Sequence, residues 1–469
     1  MKTLRRLVYL SGLAGLWLST GCEGGPDYRR PSIPTTPAYK EASPGGTGWK
    51  TASPADEVDR GNWWSLFHDA QLDELARFVA LDNQNLKASE AAYRQAVAIA
   101  QGAQSGLMPQ LALSPSLGRS RSSGVTTTTR SLDTTASWDL DVWGKVRRQI
   151  ESNRAAAQAS KAQLDAAELS AQAALVSDYF QLRYEDSLQT LLTRTLAAYQ
   201  RTLDITRNQY EAGVAAASDV VTAETQLQAT QAQLIAVGVS RAQFEHAIAL
   251  LMGRIPSQLT VPIAPLSATV PDVPLVVPSM LLERRPDVAQ AEREVAQQSA
   301  LIGVAVAAYY PEVSLSGVFG YASTAAGGLI TASNKVWSGA VSGSQLLFDG
   351  GARRGAVAAA RAAYDQSVAN YREVVLSAFG EVEDGLSSLR VLAEQAEAEH
   401  RAVTLSRRAV DIAVHEYEAG LQSYTTVATA QATALANEEA ELQVASNRLV
   451  QSVALIKALG GGWEAAKAL

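Results

Sequence analysis

Residues 145–212 read KVRRQIESNRAAAQASKAQLDAAELSAQAALVSDYFQLRYEDSLQTLLTRTLAAYQRTLDITRNQYEA, a run with neither proline nor glycine, opened by Gly144 and closed by Gly213. Runs such as Arg154-Ala155-Ala156-Ala157-Gln158-Ala159 are strong helix formers. A helix of this length would be roughly 100 Å long, too long to wrap one globular core. A second stretch of the same kind, Ala352 to Ala419, follows Gly350-Gly351 and contains only Gly355, Gly380 and Gly385 as helix-weakening residues. Uncapped helical patterns much beyond about 25 residues point to coiled coils or helical tubes.

Composition narrows the function. The chain has 469 residues and a formal net charge of −7, which disfavours a nucleic-acid partner. One cysteine excludes an internal disulfide and a thiolate metal cluster. The four histidines, His68, His246, His400 and His415, have no metal-ligand spacing. No nucleophile–base pairing and no phosphate loop is present, so no catalytic residue, cofactor or metal is expected and the chain does not read as an enzyme. No apolar run reaches the roughly 18–20 residues that a spanning helix needs, so strands or a lipid must supply any membrane contact.

The N-terminus has a leader. Lys2, Arg5 and Arg6 precede an apolar core from Leu7 to Leu18, which predicts a signal peptide over 1–21. The single cysteine, Cys22, then follows Ser19-Thr20-Gly21. This resembles a bacterial lipobox, with Leu18 one place further upstream than usual, and implies fatty acyl (palmitate) chains on Cys22. The other reading is an incidental cysteine after an ordinary signal peptide. Residues 22–60, rich in Pro, Thr, Ser and Gly, predict an extended tether.

The rest of the chain is a duplication. Pro109-Gln110-Leu111 pairs with Pro311-Glu312-Val313, an offset of 311 − 109 = 202. Tyr210-Glu211-Ala212-Gly213 pairs with Tyr417-Glu418-Ala419-Gly420, an offset of 417 − 210 = 207. Landmarks kept in order at a near-constant offset mark two repeats, 61–255 and 281–469, joined by a Pro-rich linker at 256–280. Each repeat predicts a helix (about 71–105, and 286–307), a strand with period-two alternation, a Ser/Thr/Gly-rich loop (120–130; 322–333) and a returning strand. The second repeat's returning strand is expected over 336–348. The long helix, a turn and a returning helix (218–252; 425–459) follow. Pro286 suits the first turn of its helix.

One chain offers four strands. Four strands cannot close a barrel, and lipid does not tolerate an open sheet edge, so several copies must share one barrel. The Ala-rich helical seams suit side-by-side packing in a tube.

Cys22-x-x-Gly25-Pro26-Asp27-Tyr28-x-x-Pro31 and Trp63-Trp64-x-x-Phe67-x-Asp69-x-x-Leu72 resemble the OprM/NodT branch of the TolC family of outer membrane factors. For Trp63, Trp64 and Phe67 the spacing alone favours the apolar face of a short core helix. Asp141-x-Trp143-Gly144, Arg284-Arg285-Pro286-Asp287, Leu347-Phe348-Asp349-Gly350-Gly351 and the two Tyr-Glu-Ala-Gly motifs extend the resemblance over nearly the whole mature chain. It implies a mainly α fold with a β-barrel portion: a trimeric twelve-stranded outer-membrane barrel continued by a periplasmic helical barrel. It also implies a passive exit duct for small toxic compounds, working with a periplasmic adaptor and an inner-membrane transporter of the RND type. Export of proteins by a type I system is the alternative cargo. A non-channel coiled-coil lipoprotein is the alternative class, and the alternating strands argue against it.

The resemblance also places a periplasmic gate after each Tyr-Glu-Ala-Gly motif, where the family commonly has Asp-Val-Leu-Asp. Here the halves read Asp219-Val220-Val221-Thr222 and Thr426-Val427-Ala428-Thr429, with Tyr424 nearby. By symmetry Asp219 would form a ring of like charge; its other reading, compatible with the first, is a helix N-cap or first-turn acid beside Ser218. Whether charge or the packing of Tyr424 would hold the gate stays open. Tyr210, Gly213, Tyr417 and Gly420 read as helix-ending turns, or as surfaces presented to the adaptor.

Overall fold

The computed structural model describes residues 24–33, 40, 61–266, 270–271, 284–325 and 327–461. Cys22, the signal peptide and most of the 22–60 tether lie outside the described residues, as does part of the 256–280 linker. The first repeat contains α1 (Ala70–Asp82), α2 (Gln84–Ala103), β1 (Gln110–Ser122), β2 (Val125–Leu140), α3 (Lys145–Glu211) and α4 (Ala217–Leu251). The second contains α5 (Pro286–Ala307), β3 (Glu312–Ser323), β4 (Lys335–Ser344), α6 (Ala352–Glu418) and α7 (Tyr424–Ala458).

The helices repeat in length as well as position. α3 and α6 each have 67 residues, and α4 and α7 each have 35. Both pairs keep the offset of 207 (352 − 145 and 424 − 217). The start of each long helix is held by an aspartate. Asp141 accepts from the N–H groups of Val146 and Arg147, both at 2.9 Å. Asp349 accepts from Gly351 N (2.9 Å) and Arg353 N (3.2 Å). The Arg353 guanidinium, helped by those N–H groups, holds the Asp349 carboxyl down at about 2. α6 runs unbroken through its three glycines. At Gly385 the missing side chain admits α7, since a Cβ there would lie 3.1 Å from Leu455 Cδ1.

Three local expectations are corrected. The helix expected at about 71–105 is two helices, broken at Asn83. The Asn83 side chain accepts from Asn85 N (2.9 Å) and Leu86 N (3.2 Å), capping α2, and donates to Leu251 O at 2.8 Å. The loop expected at 120–130 is a two-residue turn. Strand pairing continues to Ser122↔Val125, with Ser123 at φ 52° and Gly124 at φ 82°. Positive φ at both central residues suits a tight hairpin, and the β-branched run Thr126–Thr129 extends the strand. The strand expected to reach Phe348 ends at Ser344.

The four strands form one antiparallel sheet in the order β1-β2-β3-β4. The two hairpins are therefore joined through β2 and β3, with Leu132↔Tyr321 and Trp138↔Leu315 in register. β1 and β4 are the edges, with no further strand beside them among the described residues.

The described chain divides into two compact units, and both repeats contribute to each. The first comprises Glu90–Ala162, Val288–Val374 and residues 24–33, and contains the sheet. Here the start of the expected tether is docked, not loose. Gly24 N donates to Trp143 O (3.2 Å), Arg148 pairs with Asp27 (2.7 Å), Tyr28 Oη donates to the Glu292 carboxylate, and Arg30 Nε donates to Tyr371 Oη (3.1 Å). Gly25, at φ 96°, lies so close that a Cβ would fall 2.5 Å from Gly303 Cα.

The second unit comprises Gln163–Asp287, Val375–Leu469 and Pro34–Ser89, within the described residues. Trp63, Trp64 and Phe67 are core residues. They are buried with Leu72, Leu175, Val176, Tyr179 and Phe180, and the Phe67 and Phe180 rings meet edge to face at 4.8 Å. Arg183 (2% exposed) pairs with Asp186 at 2.8 Å, and Arg241 reaches the same carboxylate at 2.7 Å. Ala264 N donates to Asp186 as well (3.1 Å). Buried charge is tolerated because it is paired and hydrogen-bonded. By length and composition α4 could cross a bilayer, contrary to the sequence expectation. Its Arg241 and Glu245 instead make ion pairs within this unit.

Candidate functional site

The sheet sorts its side chains by chemistry. Paired residues of an antiparallel sheet share a face, and alternate residues along a strand change face. The register therefore puts Leu111, Leu113, Pro115 and Leu117 of β1 on one face with Leu132, Ala136, Trp138 and Leu140 of β2. The same face continues through Val313, Leu315, Phe319 and Tyr321 of β3 to Val341 and Trp337 of β4. The opposite face carries Ser114, Ser116, Ser131, Asp133, Thr135, Ser137, Asp139, Ser314, Ser316, Ser338 and Ser342. On that polar face hydroxyls bridge neighbouring strands, Ser116 to Ser131 (2.9 Å) and Ser314 to Ser342 (2.7 Å).

The apolar face is bare. Leu111, Leu117 and Trp337 are 72%, 74% and 78% exposed. A contiguous apolar patch of this extent marks contact with lipid or protein. Aromatic residues lie at both ends of it, as at the two interfaces of a membrane barrel. Phe319 pairs with Trp337 near the strand turns. At the helix end Trp138 Nε1 donates to Leu107 O (3.1 Å), and Trp143 stacks on Tyr310 at 4.8 Å.

The helix turns belong to the second unit, and both end α3 and α6 in the same way. Gly213 (φ 76°) and Gly420 (φ 74°) take the left-handed conformation. Val214 N donates to Gln209 O, and Leu421 N to Glu416 O, both at 2.8 Å. This is the glycine-ended helix stop that the Tyr-Glu-Ala-Gly spacing predicts. The two tyrosines then diverge: Tyr210 is 49% exposed and Tyr417 is 4% exposed.

Of the residues expected at the gate, the fold gathers one. Tyr424 (2% exposed) lies in a cluster with Leu203, Ala223, Ala413, Tyr417 and Val427. Its ring meets that of Tyr417 edge to face at 5.7 Å, and its hydroxyl is 3.4 Å from Gln226 Oε1. Burial, reinforced by Tyr417, Tyr199 and Asp219, pushes the Tyr424 phenol up to about 12. The other four residues make local bonds at their own helix starts. Asp219 accepts from Ala216 N at 3.4 Å, the first-turn role. Thr222 and Thr429 donate to the carbonyls four residues back, both at 2.8 Å, and Thr426 reaches Gln422 Oε1 at 3.4 Å.

Sequence reasoning passed over Leu203, Gln226 and the carboxylates Asp133 and Asp139. The strand register identifies that acid pair, since both fall on the polar side of the alternation. Among the described residues no group of acids, histidines or cysteines is arranged to hold a metal.

The family model described as outer membrane efflux protein matches residues 79–254 and 277–461. Over 458 residues the chain is 27% identical to the probable efflux pump outer membrane protein TtgC of Pseudomonas putida, covering 94% of this chain and 93% of that protein. Over 464 residues it is 29% identical to the outer membrane protein OprJ of Pseudomonas aeruginosa, covering 96% of this chain and 94% of that one. The solved outer-membrane channel OprN matches with a TM-score of 0.85 at 30% identity, over 94% of this chain and 100% of that one. With a two-faced sheet, paired 67-residue helices and a match across both repeats, the chain belongs to the outer membrane efflux protein family, channel proteins that sit in the outer membrane and extend into the periplasm.

Proposed function

We propose that three copies of this chain close one twelve-stranded barrel and form the passive exit duct of a tripartite efflux system for small toxic compounds. The observation that carries this is the sheet: four strands, two open edges, one apolar face and one hydroxyl-rich face. An edge in lipid would leave a row of backbone groups unsatisfied, each costing several kcal/mol, and closure with other copies removes the edges. The polar face then lines water and the apolar face meets lipid. Cys22 bears the acyl anchor, and chemistry plays no part in transport.

In this reading the turns at Tyr210, Gly213, Tyr417 and Gly420 face a periplasmic adaptor. Asp219, Thr222, Tyr424, Thr426 and Thr429 border the periplasmic constriction, and energy comes from an inner-membrane transporter of the RND type. The test is assembly together with conduction. Purified protein in lipid should migrate as a heat-sensitive trimer on gels, and its deletion should sensitise cells to small toxic compounds while leaving the secreted proteins unchanged. A species that stays monomeric in lipid would refute the barrel. Lost protein secretion with unchanged compound sensitivity would replace the cargo.

A further inference from the structure

The apolar face of the sheet is not wholly apolar. Four cations lie on it: Arg119 and Arg121 on β1, Arg130 on β2 and Lys335 on β4. All four sit at the turn end. On β1 the arginines lie beyond Leu117, on β2 Arg130 lies beyond Leu132, and on β4 Lys335 lies beyond Trp337. Lys335 shares a row with Tyr321, Leu132 and Pro115, Arg130 the next row with Leu117 and Ser323, and Arg119 and Arg121 the two rows beyond, so the cations form an oblique belt across the sheet along the turn end of the apolar band. Arg119 and Arg121, on one face of one strand, stand about 7 Å apart. Arg119, Arg121 and Lys335 are exposed. Arg130 donates to Ala325 O at 2.9 Å, and the Lys335 ammonium lies 5.0 Å from the Phe319 ring centroid.

Charge is sorted by face. The apolar face of the four strands carries these four cations and no acid. The polar face carries Asp133, Asp139 and Glu312 and no lysine or arginine. A rim of charges placed only for solvation would have no reason to prefer a face. At the same turn end the polar face offers Ser120, Ser122, Thr127, Thr129, Ser131 and Val336.

We infer that this belt binds the phosphate groups of anionic lipids in the outer leaflet. The inference rests on the barrel reading above, in which the apolar face meets the bilayer. The helices start at the opposite end of the strands and reach into the periplasm, so the turn end faces outward and the belt lies at the level of the outer-leaflet headgroups. Arginine and lysine can lay their methylenes along the apolar band and hold the charge at the interface. Arg119, Arg121 and Arg130 offer planar donor forks that match phosphate oxygens, and the lysine adds a point charge. A basic cluster beside a membrane-embedded apolar surface recognises anionic headgroups in this way.

The test uses the full-length protein reconstituted with phosphatidylcholine doped with either diphosphoryl lipid A or its fully dephosphorylated form. After mild extraction, retained lipid is counted by native mass spectrometry. The phosphorylated lipid should be retained and the dephosphorylated one lost. R119Q, R121Q, R130Q and K335Q should each weaken retention by about fivefold, and the combined variant by more than tenfold. Arg119→Lys, Arg121→Lys and Arg130→Lys together should keep most of it, and D133N with D139N, on the polar face, should change nothing. Equal retention of both lipids, wild-type retention by the combined Gln variant, or displacement by millimolar inorganic phosphate would overturn the inference. Heat-modifiable mobility is scored on the same samples. Failure to form the oligomer refutes the barrel reading, whereas an intact oligomer without phosphate selectivity refutes only the lipid belt.

Discussion

Replacing Tyr424 by alanine separates two ways of holding the helix turns together. Tyr424 is 2% exposed and packs with Leu203, Ala223, Ala413, Tyr417 and Val427. Removing a buried aromatic ring costs about 3–5 kcal/mol, of which the edge-to-face contact with Tyr417 accounts for about 0.5–1.5. The hydroxyl makes only a 3.4 Å contact with Gln226, so Tyr424→Phe should cost less than about 1 kcal/mol. Asp219 accepts one bond, at 3.4 Å, inside its own turn. Asp219→Asn therefore removes about 0.3–1 kcal/mol of helix-end stabilisation. Packing outweighs charge roughly fivefold. Hydrogen exchange of the lipid-embedded protein reads the difference directly. In Tyr424→Ala the amides of 203–223 and 413–430 should exchange about two to three and a half orders of magnitude faster, a tenfold step for every 1.4 kcal/mol. Asp219→Asn should stay within about fivefold of the parent. Conductance across a planar bilayer should follow the same order if the turns border the constriction. Near-parental exchange in Tyr424→Ala, or a larger effect from Asp219→Asn, would refute packing as the dominant force.

Three further outcomes follow from the geometry. Gly253→Ala puts a Cβ 2.1 Å from Asp82 O at φ 67°, whereas Gly213→Ala (φ 76°) meets nothing. Thermal melts should show a loss of about 1–2 kcal/mol for the second and clearly more for the first. Gly303→Ala would set a Cβ 2.8 Å from Gly24 O and from Arg148 Cγ, so it should lift residues 24–33 and open them to limited proteolysis while leaving oligomer mobility unchanged. Burial pushes Asp178 up to about 6 from an ordinary 3.8. The folded chain then holds a proton that the unfolded chain has lost, and stability falls as pH rises through that window. Asp178→Asn should therefore melt higher than the parent above about pH 6, by a few degrees, with the gain gone below about pH 4.

The architecture was legible because periodicity and punctuation agreed. Gly144 and Gly213, and their counterparts Gly350-Gly351 and Gly420, bracket the long helices, and the 207-residue offset needed only residue identities. The misses have physical reasons. Asn83 breaks a helix because its side chain answers Leu251 O, 168 residues away, a contact that no local window contains. Thr126–Thr129 resembled a polar loop by composition, but β-branching and a two-residue turn made it strand. The Arg183–Asp186–Arg241 network was invisible for the same reason as Asn83: its members come together only when distant helices pack. At the turns, Tyr424 was legible as a gate candidate and Tyr417 as a helix-ending residue, but their edge-to-face contact joins residues of two different helices and appears only in the fold. The first-turn role of Asp219 was legible from its place after the turn, whereas the local bonding of Thr222, Thr426 and Thr429 depends on rotamers that spelling does not reveal.

Two hairpins in one polypeptide, zipped to each other through β2 and β3, free the halves from being copies. A ring built from single-repeat chains would have to place the same side chain at every tip, so a mutation at one tip would be a mutation at all of them. Fusion halves that burden. One tip here keeps an acid at 219 while its counterpart at 426 carries a threonine, and one turn tyrosine is left in solvent while the other is swallowed. Neighbouring turns can thus be tuned separately, giving selection two independent dials where a single-repeat ring would have one.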